Sequence, residues 1–119
     1  MADYVKTAKS EKYIHVWFHN EMDRPFSIGE KMYVINDNAY MNGYNWDALF
    51  NYYLAKHAPD VLVGMDPDPE AGSYVAIYEN SPENEARAEK FAGIIESLIE
   101  NEEELYRIVR EESYDIEWD

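Results

Sequence analysis

An α+β fold is expected of this 119-residue chain: an antiparallel sheet of four to five strands with helices packed on one face. Three features predict it. Short strand-like segments stand on either side of a segment with helical periodicity, and two further helical segments close the chain. The connections between strand-like segments are too short for parallel crossovers, except across the first helix. The strand-like segments also share a division, with aliphatic side chains (Ile14, Val16, Phe18, Met32, Val34, Val75 and Ile77) on one face and aromatic or His side chains on the other. The helices are expected to cover the aliphatic face.

Lys12 to His19 alternates strictly, with Ile14, Val16 and Phe18 on one face and Tyr13, His15, Trp17 and His19 on the other, and reads as a strand. A turn over Asn20 to Pro25 follows, and Lys31 to Ile35 gives a second strand with Tyr33 and Ile35 opposite Met32 and Val34. In Met41 to Leu54, a turn centred on Gly43 runs into an amphipathic helix. Asn45 is placed to cap it, Asp47 sits in its first turn, and Gly43 tolerates a positive φ. Trp46, Leu49, Phe50, Tyr53, Leu54 and His57 recur at helical spacing, so one face is buried, and the helix ends near Ala58 because Pro59 disfavours helical geometry before it. Val61 to Met65 and Ser73 to Glu79 read as a hairpin joined by a Pro67 to Gly72 turn. Ser81 and Pro82 open a helix whose buried stripe is Phe91, Ile94, Ile95, Leu98 and Ile99. Asn101 starts another over Glu102 to Glu112, with Leu105, Ile108 and Val109 inward. The tail from Tyr114 to Asp119 alternates like a strand and reads equally well as a frayed end.

The chain is short enough for a single domain over 1–119, and 46% hydrophobic residues exclude a disordered chain. It has no cysteine, so disulfides and Cys-based metal or redox sites are excluded. Neither a basic segment leading into an apolar run nor a membrane-spanning stretch is evident, which suits the cytoplasm. Ten Lys and Arg against 25 Asp and Glu give a net charge of −15. That disfavours nucleic acid and favours a cationic partner. The acidity concentrates in residues 82 to 119, with thirteen acids and four bases.

Two segments carry a resemblance. Asn42-Gly43-Tyr44 with Trp46, and Glu70, Gly72 and Tyr74 about one helix later, are similar to the Gly-Asn-Gly-Tyr-x-Trp and Phe-Asp-x-Glu-x-Gly-Met-Phe segments of the bacterial immunity protein 51 family, the antitoxins of polymorphic toxin systems. The resemblance covers roughly residues 26 to 110. This chain departs from the pattern with Met41 in place of the first Gly, Asp66-Pro67 in place of Phe-Asp, and Ser73 in place of Met. Neither segment carries reactive groups. The resemblance therefore implies a fold and a binding role, with a cognate toxin domain as partner and no enzymatic activity.

The residues themselves point the same way. Tyr13, His15, Trp17, His19, Tyr33, Tyr74 and Tyr78 would gather on the second sheet face, supplying large contact area at low entropy cost. The alternative is that these rings stabilise the sheet through cross-strand pairs or lie under a loop. Glu102, Glu103 and Glu104 stabilise the positive end of their helix and read either as a solvated helix start or as an interaction patch for Lys and Arg of a basic partner. His15 and His19 stand about 13 Å apart at strand rise, too far to share one metal. His57 offsets a helix C-terminus. Asp66, Asp68 and Glu70 begin like a calcium loop, but Ala71 and Ile77 occupy the positions that need Gly and Glu. No cofactor motif and no catalytic motif occurs. A small acid–base hydrolase using His15 or His19 with a carboxylate is the competing reading, and it would require a deep pocket.

Overall fold

In the computed structural model, which describes residues 2–118, β1 (Val5–Lys9) pairs antiparallel with β2 (Tyr13–Phe18). β1 is absent from the alternation reading because only Val5 within it is buried, which leaves no period to detect. After β2 the chain enters α1 (Asp23–Ile35), then α2 (Gly43–His57), a single turn α3 (Pro59–Leu62), the hairpin β3 (Asp66–Pro69) and β4 (Tyr74–Glu79), and finally α4 (Pro82–Glu100) and α5 (Glu102–Glu111). The sheet has four strands in the order β1-β2-β4-β3, every neighbouring pair antiparallel. α4 covers β1 and β2, α2 covers β3 and β4, and α1 packs against α4 and α5 on the same side.

Residues 31 to 35 are helical, not a strand. Pro25, Ile28, Gly29 and Met32 are the buried residues of α1 and recur at i, i+3, i+4 and i+7. A five-residue window cannot separate that period from strand alternation. Pro25 lies in the first turn, where its missing N–H has no intrahelical acceptor to satisfy. The run from Val61 to Met65 is likewise not a strand. Pro59 opens α3, whose buried residue is Val61, and the hairpin strand begins one residue later, at Asp66.

The covered sheet face also differs from the aliphatic set expected. Register pairs Ile14 with Tyr78, Val16 with Ala76 and Phe18 with Tyr74, and paired residues share a face. Tyr74, Ala76 and Tyr78 therefore point into the core, while Val75 and Ile77 take the outer side. The wide space between sheet and helices is filled by aromatic bulk. Phe50 makes edge-to-face contacts with Phe18, Tyr74 and Phe91 at 5.6, 5.2 and 5.4 Å, and Phe18 meets Trp46 at 5.0 Å. The Tyr78 hydroxyl donates to the Val61 carbonyl at 2.6 Å, binding the sheet to α3.

The helix stripes fall largely as expected, except that His57 is exposed at the end of α2 and Tyr53 and Ile94 are only half-buried at the stripe margins. Trp46, Leu49, Phe50 and Leu54 of α2, Phe91, Ile95, Leu98 and Ile99 of α4, and Leu105, Ile108 and Val109 of α5 are buried. Ser81 caps α4 by accepting the Asn84 N–H at 3.1 Å, and Pro82 takes the first helical position. The tail forms no strand within the described residues. A 3₁₀ turn over Ser113–Asp115 leads to buried Ile116, and the Trp118 indole N–H donates to the Ser113 hydroxyl. Asp119 lies outside the described residues.

Candidate protein-binding surfaces

The uncovered side of the sheet is built around β2. Tyr13, His15 and Trp17, with His19 just beyond the strand, form one continuous row of rings. Successive centroids are 6.5, 6.3 and 6.2 Å apart, with Trp17 stacked nearly parallel between the two imidazoles. Cross-strand pairing sets Lys6 and Ala8 of β1 on one flank and Val75, Ile77 and Glu79 of β4 on the other. Asp66 and Asp68 of β3 extend this face to the far edge. The charge thus runs from a lysine at one margin to three carboxylates at the other. One cleft of about 510 Å³ opens at the Glu79 end of β4, lined by Tyr13, Asp66, Ile77 and Glu79 of this face, and the ring row beside it is suited to contact with another macromolecule. Neither histidine lines the clefts at the α1 face, at the β4 edge or between α2 and the tail. Among the described residues no group of His, Asp and Glu is arranged to hold a metal ion.

Three of the expected ring positions fall elsewhere. Tyr74 and Tyr78, at 0% and 1% exposure, belong to the core because β4 pairs in the opposite parity to the one assumed. Burial raises both phenols above the usual tyrosine range. Tyr33 is exposed, but on α1 and away from the sheet. Glu102, Glu103 and Glu104 do form the first turn of α5. Glu102 accepts from the Tyr106 hydroxyl at 3.4 Å and Glu104 from Arg107 at 2.6 Å, whereas Glu103 is exposed. At the other end of α5, Glu112 gathers Lys56, Arg107 and the Tyr52 hydroxyl, tying α2 to α5. Those partners hold its carboxyl down at about 2, with the bonds from Lys56 and Tyr52 first among the causes.

A second aromatic surface has no counterpart in the strand reading of residues 31 to 35. Phe26, Tyr33 and Val34 of α1, and Tyr40 of the connector to α2, are all exposed and line one cleft of about 420 Å³. Tyr33 and Tyr40 meet edge to face at 5.9 Å. The connector can lie this close because α1 has Gly29 beneath it, where an added Cβ would sit 3.1 Å from that of Met41. The signal was present in the sequence: Met22, Phe26 and Tyr33 share one side of a helix once residues 23 to 35 are read at a period of 3.6.

The turn into α2 joins the two motif segments. Asn42, not Asn45, is the cap, its side chain accepting the Asn45 N–H at 3.0 Å, and the helix starts three residues earlier than expected. The Gly43 N–H donates to the Ala71 carbonyl at 2.9 Å. A Cβ at Gly43 would lie 1.7 Å from the Glu70 carbonyl oxygen, so the helix end and the β3–β4 turn are in backbone contact. The positive φ expected at Gly43 occurs instead at Met41, where φ is 59°. The chain matches the family model described as Immunity protein 51 over residues 6–114. It belongs to the immunity protein 51 family. No match is found among curated proteins or among solved structures. In immunity protein 51 terms, the motif residues Asn42, Gly43 and Gly72 form a structural corner. Met41 stands at the one position of that corner where glycine, usual in the family pattern, would carry no left-handed strain. Among the described residues no helix is long and apolar enough to cross a membrane.

Proposed function

We propose that this chain is the antitoxin of a toxin–immunity pair, acting in the cytoplasm: it binds a basic toxin domain, occludes its working surface and catalyses nothing itself. Membership of the immunity protein 51 family across residues 6–114 is the observation that carries this reading. The uncovered ring row of Tyr13, His15, Trp17 and His19 supports it as a contact platform. Large rings with few rotatable bonds supply contact area at little entropic cost. A net charge of −15 supports a cationic partner, since complementary charge raises the association rate. Glu102, Glu103 and Glu104 would act as steering charges and not as buried contacts. Tyr74 and Tyr78 have no part in the interface, because reaching a partner would require unfolding the core.

Co-expression tests the reading. Each open reading frame flanking the gene is expressed alone and together with this chain; one of them is expected to arrest growth alone and to be tolerated together. If none is toxic, or if toxicity persists when this chain is co-produced, the antitoxin reading fails. Within a rescued pair, Trp17→Ala is expected to weaken binding by at least about 2 kcal/mol in titration calorimetry, with the unfolding midpoint little changed.

A further inference from the structure

Five of the nine large hydrophobic side chains exposed among the described residues (Met22, Phe26, Tyr33, Val34 and Tyr40) lie within 19 residues, on α1, its N-cap and the connector that follows it. Val34 and Tyr40 are 85% and 69% exposed, far more than a folded chain needs in order to close its core. The group is fixed in place. The Asn36 side chain accepts the Asn38 N–H at 3.0 Å and donates to the Ser113 hydroxyl at 3.0 Å, and the Ala39 N–H bonds back to the Asn36 carbonyl at 2.9 Å. Met41 holds a left-handed conformation to bring Tyr40 against Tyr33. A rigid, pre-formed apolar cleft loses little entropy when occupied. A tight turn joins it to the sheet platform: the Met22 N–H bonds to the carbonyl of His19 at 3.1 Å, and Met22 precedes Phe26 by one helical turn.

Charge selects the occupant. Glu30 lines the cleft, Asp23 stands on the same side of α1 two turns earlier, and Asp37 follows the Asn36 C-cap of the helix. Of the two bases in the segment, Arg24 pairs with Glu100 of α4 at 3.2 Å. A second copy of this chain, joined across a two-fold axis, would set acidic rim against acidic rim at a net charge of −15 per copy. We infer that the α1 face is the apolar anchor of the toxin interface: Phe26, Tyr33, Val34 and Tyr40 receive apolar side chains of a basic protein domain, while Glu30, Asp23 and Asp37 meet the Lys and Arg around them. This assignment rests on the antitoxin reading and deepens it, adding the α1 face to the sheet platform as a second contact region.

The test uses the full chain and the toxic polypeptide that it rescues, rendered inactive for purification. Phe26→Ser combined with Tyr40→Ser is expected to raise Kd by at least about 30-fold, mostly through faster dissociation, with no change in the urea midpoint because both side chains are exposed. Glu30→Lys is expected to slow association several-fold at low salt, with the difference closing at high salt. Unchanged affinity and rates in these folded variants, with rescue by the parent chain intact, would overturn the assignment and leave the antitoxin reading standing. A stable dimer of the chain alone in sedimentation, dissolved by the same double substitution, would overturn it in favour of a second copy. Absence of any rescue by the parent chain would instead remove the antitoxin reading and this assignment with it.

Discussion

Replacing Gly43 with Ala puts a methyl carbon 1.7 Å from the carbonyl oxygen of Glu70 and 2.5 Å from that of Ser73. Ordinary carbon–oxygen contacts are about 3.3 Å or longer, so the β3–β4 turn must retreat by roughly 1.5 Å. Both obstructing atoms are backbone, and no side-chain rotation relieves them. The retreat breaks the Gly43 to Ala71 bond and strains the Glu70 to Ser73 bond that closes the turn. Two hydrogen bonds at about 1 kcal/mol each, with about 1 to 3 kcal/mol of overpacking, are offset by at most about 1 kcal/mol of improved helix propensity. The net loss is about 2 to 4 kcal/mol. In urea unfolding followed by tryptophan fluorescence, this corresponds to a midpoint lowered by roughly 1 to 2 M. A midpoint equal to or above that of the parent chain would show that the hairpin turn does not rest on the start of α2, and the structural reading of the motif would fall.

Trp46→Ala is expected to destabilise by about 3 to 5 kcal/mol, because Trp46 is fully buried against Phe18 and Phe50 and its loss leaves a cavity; thermal unfolding checks it. Of Tyr78→Phe and Tyr74→Phe, only the first should lower the denaturation midpoint. The first loses a buried bond and costs about 1 kcal/mol, while the second removes a buried hydroxyl that has no partner among the described residues and is neutral or stabilising by up to about 1 kcal/mol. Glu112 contributes to the pH dependence of stability. Its folded carboxyl titrates at about 2, below the unfolded value of about 4.3, so its contribution is full above the unfolded value and is lost as pH falls through 2. Glu112→Gln is therefore expected to cost on the order of 1 to 2 kcal/mol at pH 7, allowing for solvent screening, and the difference from the parent should close as pH approaches 2.

The sequence made the fold class legible because three helices carry long, unbroken apolar stripes: a run such as Phe91 to Ile99 outlasts any ambiguity between periods. α1 is illegible for the opposite reason. Its buried positions include Gly29 and Pro25, which a pattern of apolar side chains does not register, while its exposed positions include Tyr33 and Val34, which such a pattern wrongly draws inward. β4 was found as a strand but turned over. Alternation gives two faces without saying which is covered, and only the pairing of Phe18 with Tyr74 decides between them. The ring row on β2 was legible for the complementary reason: Ile14, Val16 and Phe18 are unmistakably the inner set, so Tyr13, His15, Trp17 and His19 had to be the outer one. The α1 cleft could not be read at all without the helix, since Phe26, Tyr33 and Tyr40 meet only when the connector folds back across Gly29.

The prolines of β3 bear on assembly. Glu70 donates its N–H toward Ser73 across the hairpin, and N–H directions alternate along a strand, so Asp66 and Asp68 face β4 while Pro67 and Pro69 fall on the outward positions. Proline has no N–H to offer there, and this edge of the sheet is closed to any incoming strand. Among the described residues β1, the strand at the opposite edge, carries no proline and is exposed at four of its five positions. Joining two sheets through β1 would leave a proline-blocked edge at both outer ends, so strand addition terminates at a pair and cannot propagate into a fibre.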